Sequence, residues 1–398
     1  MTLVTEQDHA AWVETLTLTN FRNYESARLQ VGARPVVLVG ENGAGKTNIL
    51  EAVSLLAPGQ GLRRAAMPDL ARQGGDGSWA VAAKVHAGDA EVAIGTGLPA
   101  GHYPSAAPGP GSRGPSRTVR IDGETQKSSA ALADFLEMVW LTPALDGLFT
   151  GAAGDRRRFL DRLVVCFDPA HSTRANQFER AMRQRNRLLD EHGPRAPTLD
   201  AIERVLAETG VALAAGRLAA IDALKLTLSV RRDERGTSPF PWAAIALEGG
   251  LEDDLAAGAA VDVEDIYAGR LAEGRFRDAR AGRTLEGPHR SDLSVTHGPK
   301  QMLAKFCSTG EQKALLVGLV LAHAEMLANR AAGAAPILLL DEIAAHLDVH
   351  RRAALFDELE ALGSQAWMTG TDLMQFDAIR PHADVFRVTD GAISPVTD

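Results

Sequence analysis

Cysteine is almost missing from this sequence, with Cys166 and Cys307 the only two among 398 residues. They lie far apart and form neither a metal-ligand pair nor a redox motif, so both read as reduced thiols and no structural disulfide is expected. Long apolar runs are missing too. The run Ala314 to Ala322 is too short to span a bilayer. The first residues place Glu6, Asp8 and Glu14 around short apolar stretches, without the basic start and apolar centre of a secretory signal. The expectation is a cytoplasmic protein with no membrane partner. Acid outweighs base, and a net charge of −9 argues against a surface coated all over in nucleic acid.

Where the charge lies matters more than its sum. Between Arg156 and Arg195 arginines outnumber carboxylates, and Arg183, Arg185 and Arg187 are the candidates for contact with DNA phosphates. Solvated arginines on ordinary helices are the competing explanation. Nothing in the composition suggests a base-reading element, so backbone and shape recognition is the default.

The chain alternates between strand-like and helical stretches. Ala11 to Tyr24 has the alternation of a half-buried strand, and Val36 to Val39 is a short β-branched run entering a glycine-rich loop, with Asn48 to Leu56 helical beyond it. Ala80 to Val85, Glu91 to Ile94 and Arg117 to Ile121 read as an antiparallel patch, the last entering an Asp122-Gly123 turn. Gly97 to Ser116 is rich in Pro, Gly, Ser and Ala and reads as a flexible loop. From Asp155 to about Arg232, and again from Asp262 to Ala281, apolar residues recur at helical spacing. Leu293 to Thr296 reads as a strand, Glu311 to Asn329 as a long helix and Pro336 to Leu340 as a buried parallel strand. Arg351 to Leu362 then reads as a helix, Gln365 to Thr369 as a strand and Val385 to Ile393 as a hairpin.

Three motifs carry chemistry. The first is Gly40-Glu41-Asn42-Gly43-Ala44-Gly45-Lys46-Thr47, which fits the phosphate-loop pattern at every fixed position. Its glycines let backbone N–H groups face phosphates, the following helix adds its N-terminal dipole, Lys46 supplies a point charge, and Thr47 is placed to ligate Mg2+. The expected ligand is a nucleoside triphosphate, with ATP preferred. The second is the apolar strand ending in Asp341-Glu342. A carboxylate at a strand tip beside a phosphate loop can hold Mg2+, and its neighbour can activate water, so Asp341 is assigned to the metal and Glu342 to catalysis with Lys46. The third is Ser308-Thr309-Gly310-Glu311-Gln312 at a helix head, which suits either an anion site or a simple N-cap.

Together, in this order, these motifs resemble the ABC-type ATPase heads of the SMC group. A closer resemblance is to the RecF family of DNA replication and repair proteins. It is carried by Asn20-Phe21-Arg22-Asn23-Tyr24, Gly40 to Glu51, Arg157-Arg158-Phe159-Leu160-Asp161, Gly287-Pro288-His289-Arg290 and Phe306-Cys307-Ser308. It spans nearly the whole chain. The fold it implies is α/β: a P-loop ATPase head with an antiparallel β subdomain and an inserted, mainly helical arm. The head would comprise residues 1–150 and 283–398, and the arm 151–282.

The resemblance implies further roles. ATP would drive head-to-tail dimerisation, with Ser308, Gly310 and Gln312 of one copy meeting the nucleotide of the other and Asp348 at the seam. Arg22 would lie near the nucleotide. A weak, DNA-stimulated ATPase acting on gapped DNA with RecO and RecR partners, in support of the RecA recombinase and the SOS response, is the implied function. A nucleotide-gated structural clamp with little need for turnover is the alternative. A transporter ATPase fits poorly, since Thr369-Gly370-Thr371-Asp372 lacks that class's switch histidine and the helical insertion is too long.

Overall fold

The computed structural model describes residues 11–101, 116–234, 239–330 and 335–396. In chain order it begins with strands β1 (Trp12–Phe21), β2 (Tyr24–Gln30) and β3 (Val36–Val39), then helix α1 (Lys46–Ser54). Strands β4 (Trp79–Ala87), β5 (Ala90–Leu98), β6 (Thr118–Ile121), β7 (Glu124–Thr125) and β8 (Met138–Leu141) follow. Next come α2 (Ala153–Phe167), α3 (His171–His192), α4 (Leu199–Glu234), β9 (Ala243–Glu248), α5 (Gly250–Ala257), α6 (Ala260–Glu273) and α7 (Arg275–Ala281). The chain continues through β10 (Asp292–His297), β11 (Met302–Leu303) and α8 (Thr309–Arg330). It ends with β12 (Ile337–Leu340), α9 (Val349–Leu362), β13 (Ala366–Gly370), β14 (Asp384–Thr389) and β15 (Ala392–Pro395). Among the described residues no helix is long and apolar enough to cross a membrane.

Two compact units result. The first holds the chain to Leu145, Thr237–Phe240 and everything from Ala324; the second holds Asp146–Gly236 and Pro241–His323. In the first unit, one sheet has the order β2-β1-β4-β5-β6-β7 and is antiparallel throughout. The other has the order β15-β14-β3-β13-β12-β8, parallel except for the β15 edge. Its central strands VVLV and ILLL are fully buried, as strands covered on both faces must be. Helix α1 shares one apolar cluster with both sheets through Ile49, Leu50 and Val53. That double cover explains why α1 is buried nearly all round, its polar Lys46, Glu51 and Ser54 included.

The second unit has its own core, in which Phe178 and Ala181 of α3 meet Leu206 and Val211 of α4 and Tyr267 and Leu271 of α6. It also contains a three-stranded sheet, β11-β10-β9. The chain between 151 and 282 is therefore not all helix. Strand β9 pairs with β10 from Asp292↔Glu248 to His297↔Ala243, so residues on either side of the expected limit at 282 join one sheet. The unit reaches His323, and its limit falls within α8.

The Asp122-Gly123 turn is present, with positive φ at both residues as a two-residue hairpin requires. Strands β2, β8, β9 and β11 and helix α5 are additions to what the sequence predicts. Strand β2 is a charged edge strand, and β8 is only four residues long. The loop expected at 97–116 gives Gly97 and Leu98 to β5, and its 102–115 part lies outside the described residues.

Candidate nucleotide site

The parallel sheet sets the site's geometry. Strand β13 lies between β3 and β12, so the chain ends leaving these three strands emerge side by side at their carboxyl edge. The phosphate loop Gly40–Thr47 leaves β3, Asp341 and Glu342 follow β12, and Thr369 lies near the end of β13.

Conformation explains the loop's composition. Gly45 has φ 113°, and a Cβ there would come within 2.5 Å of the Asn23 amide and 2.6 Å of the Tyr24 hydroxyl. Both contacts belong to the β1–β2 hairpin, whose tip braces the loop from outside. Tyr24 Oη donates to the Gly45 carbonyl at 3.1 Å, and Asn23 Nδ2 donates to the Ala44 carbonyl at 3.2 Å. Asn48 Nδ2 donates to Asn23 Oδ1 at 2.7 Å. Burial pushes the Tyr24 phenol up, which keeps it a donor.

Lys46 is only 4% exposed. Its Nζ donates to the carbonyls of Gly40 at 2.6 Å and Glu41 at 2.8 Å. Burial lowers its pKa, opposed by the nearby carboxylates of Glu342 and Asp341. Thr47 Oγ1 donates to Asp341 Oδ1 at 2.9 Å, although 294 residues separate them. Thr369 Oγ1 donates to the same oxygen at 2.7 Å and accepts the Glu342 backbone N–H at 2.8 Å. Glu342 is half-buried with φ 51°, an uncommon conformation for a residue with a Cβ.

Arg22 also has positive φ, at 55°. Its Nε and Nη2 bind Glu51 bidentately at 2.9 and 2.8 Å, and its Nη1 donates to the Asp69 carbonyl. Glu51 is a buried carboxylate one turn beyond Thr47, and Arg63 gives it a second cation at 3.3 Å. Arg22 thus binds the helix that carries the phosphate loop. A carboxylate set among the apolar Ile49, Leu50, Ala52 and Val53 was the sequence signal for such a partner. Asp348 N-caps α9, and its carboxyl is held below the usual range by the Arg351 N–H, 2.9 Å from Oδ1.

The signature residues belong to the second unit. Ser308 and Glu311 form a capping box: the Ser308 N–H donates to Glu311 Oε2 at 2.9 Å, and the Glu311 N–H donates to Ser308 Oγ at 3.4 Å. Glu311 is held down to about 2, first by the Lys300 ammonium. Gln312 is buried and donates to the Cys307 carbonyl at 2.9 Å, and Gly310 is half-buried. Beside Ser308, Phe306 is 69% exposed, and Met302 and Leu303 are exposed as well.

The candidate DNA arginines divide. Arg185 is not available to DNA, being fully buried and bonded to Glu203 at 3.0 Å, Asp278 at 2.7 Å, Thr284 at 2.9 Å and the Leu271 carbonyl at 2.7 Å. The reason is helix phase, because Arg185 shares its face with the buried Phe178, Ala181 and Leu189. Arg183 and Arg187 face solvent; Arg183 pairs with Glu179, and Arg187 has no ion pair among the described residues.

Two further motif segments knit together within the second unit. Arg156 grips Asp292 with two 2.7 Å bonds, Arg157 donates to the Ser291 carbonyl at 2.6 Å, and Arg217 donates to the Pro288 carbonyl at 2.6 Å. Arg217 also binds both oxygens of Asp161. Burial works to raise the Asp161 pKa, yet bonds from His171 and Arg217 bring it down to about 2.

Comparison with known proteins fits this geometry. Residues 12–394 match the family described as the RecF/RecN/SMC N terminal domain. A protein of Rhizobium johnstonii named DNA replication and repair protein RecF is 53% identical over 385 residues, covering 97% of this chain and 99% of that one. The protein of the same name from Mesorhizobium japonicum is 52% identical over 386 residues, covering 97% and 98%. Among solved structures, the recombination mediator protein RecF with ATPrS superposes with a TM-score of 0.82 at 22% identity, covering 98% of this chain and 99% of that one. The Pyrococcus furiosus Smc head domain superposes with a TM-score of 0.52 at 17% identity, covering 97% and 96%. The fold is that of an ABC-type ATPase head, and the chain belongs to the RecF family of DNA replication and repair proteins.

Proposed function

We propose that this protein is an ATP-driven DNA clamp of recombinational repair and replication restart. The observation that carries the reading is the convergence of Thr47, Asp341 and Glu342 beside the phosphate loop. Two relatives of the same fold are described as RecF-ATPrS and RecF-ATP in the RecFOR pathway.

The residues fit Mg2+ and a triphosphate. Thr47 Oγ1 and Asp341 Oδ1 are hard oxygen donors 2.9 Å apart, suited to a small divalent cation that keeps several waters. Held there by Thr47 and Asp341, Mg2+ would offset the charge of the phosphates. Lys46, bonded in this structure to two carbonyls, turns its ammonium to the phosphates, and the N–H groups of Gly43 to Thr47 cradle them. Glu342 orients water for in-line attack and takes its proton. ATP closes two copies head to tail, bringing Ser308 and Gly310 of each onto the nucleotide held by the other, with Asp348 at the seam. Gln312 anchors that signature turn. Slow hydrolysis, stimulated by DNA, reopens the dimer. In the cytoplasm this cycle acts at gapped duplexes with RecO and RecR type mediators, supporting RecA loading and the SOS response.

Arg183 and Arg187 remain the arm's candidates for phosphate contact. Binding to a gapped duplex is expected to weaken steeply with salt, and Arg183→Glu with Arg187→Glu is expected to flatten the log–log slope by about 1 to 2. An unchanged slope in an equilibrium titration places the contacts on another surface.

A further inference from the structure

We infer that Thr369 is a positioning residue for ATP hydrolysis, whose single hydroxyl locks the metal-binding carboxylate and the general base into one arrangement. The inference rests on the proposed roles of Asp341 and Glu342. The Thr369 hydroxyl bonds Asp341 and Glu342, and none of the three chemistry-bearing motifs includes it.

Topology puts it where only a side chain can serve. Strand β13 separates β3 from β12, so the phosphate-loop strand and the strand leading to Asp341 do not pair with each other. Backbone bonding to β13 fixes each of them through Leu339↔Trp367 and Thr369↔Leu38. On the β13 side the pairing ends at Leu340, and although the Asp341 N–H still donates to the Leu141 carbonyl of β8 at 2.8 Å, Glu342 leaves the sheet. At that point Thr369, fully buried, extends its hydroxyl toward the departing chain. The hydroxyl has one proton and two lone pairs, and both kinds of capacity are in use. Its proton goes to Asp341 Oδ1 at 2.7 Å, and a lone pair receives the Glu342 N–H at 2.8 Å.

Each bond has a separate consequence. The first competes with rotation of the Asp341 carboxylate and, with the Thr47 bond to the same oxygen, fixes how that group is presented. The second satisfies a backbone donor that has left the sheet and holds Glu342 at φ 51°, a conformation unfavourable for a residue with a Cβ. Without it, Glu342 would be free to relax toward negative φ, which would re-aim its side chain. Metal presentation and base presentation are therefore coupled through one oxygen atom.

The test compares Thr369→Val, which keeps shape and removes the hydroxyl, with Thr369→Ser, which keeps the hydroxyl. Three quantities are read on the full-length protein: kcat and KM for ATP, calorimetric ATP binding across a Mg2+ titration, and thermal unfolding in EDTA. For Thr369→Val the expected result is a 10- to 100-fold fall in kcat and a rightward shift of the Mg2+ dependence of binding, with ATP binding in EDTA unchanged. Thr369→Ser is expected to stay within about threefold of the parent in kcat and Mg2+ dependence. The inference is overturned if Thr369→Val keeps both the parent kcat and the parent Mg2+ dependence, or if Thr369→Ser falls as far as Thr369→Val. A drop in unfolding temperature shared by both variants, with the kinetic loss following it, also overturns it. If the parent itself does not hydrolyse ATP, the proposed function fails, and the Mg2+ titration of binding still decides the role of Thr369.

Discussion

Replacing Glu342 with Gln is expected to leave ATP binding intact and to cut turnover by about 10²- to 10⁴-fold, the usual contribution of a positioned general base. Glutamine keeps the size and hydrogen-bonding reach of the side chain but cannot accept the proton of attacking water. Its backbone N–H still meets Thr369, so the local geometry is kept. The variant should accumulate as a closed ATP-bound dimer on DNA, because in the proposed cycle closure needs the nucleotide and reopening needs its hydrolysis. Single-turnover hydrolysis with filter binding measures both arms. Hydrolysis at the parent rate would remove Glu342 from the mechanism and favour a structural clamp whose opening depends on nucleotide exchange.

The second large effect lies in the arm. Arg185→Met is expected to cost about 3–5 kcal/mol of unfolding free energy, read as a lower urea midpoint. Methionine fills most of the space, so the loss comes from charge. Asp278 is almost fully buried and keeps only a distant second cation, Arg277 at 3.8 Å, while Glu203 would be left to Arg275. Uncompensated carboxylates in a protein interior are expensive because water no longer solvates them. A loss below about 1 kcal/mol would mean that the network relaxes or hydrates on substitution.

These two residues also show what was legible in the sequence. The phosphate loop and the Asp-Glu strand end were legible because their chemistry demands particular residues at short, fixed spacing and a buried strand before each. Arg185 was misread as a DNA contact because its neighbours in sequence are exposed arginines. The correcting signal was present, since Phe178, Ala181, Arg185 and Leu189 fall on one helical stripe. Other parts were not legible by pattern. The bond from Thr369 to Asp341 spans 28 residues, and the pair of Arg22 with Glu51 spans 29. Such contacts depend on sheet order, which local periodicity does not encode. The same holds for β9, an alanine-rich strand that becomes one only by pairing with β10 across three intervening helices.

Ser308 illustrates a different limit. The sequence allowed either an N-cap or an anion site, and in the structure Ser308 forms a capping box with Glu311. The two uses are compatible, because the Ser308 hydroxyl bond to Glu311 is long at 3.4 Å and its residue is exposed to solvent. A γ phosphate from a second copy would compete for that hydroxyl.

In the proposed cycle ATP closes two copies of this chain on DNA. Sedimentation velocity of the Glu342→Gln protein with a gapped duplex, with and without ATP and Mg2+, tests it most directly. A DNA-bound species carrying two protein chains is expected only when ATP is present, and it is expected to be lost when Ser308→Arg is added. A protein stoichiometry on the duplex that is the same with and without ATP would contradict it.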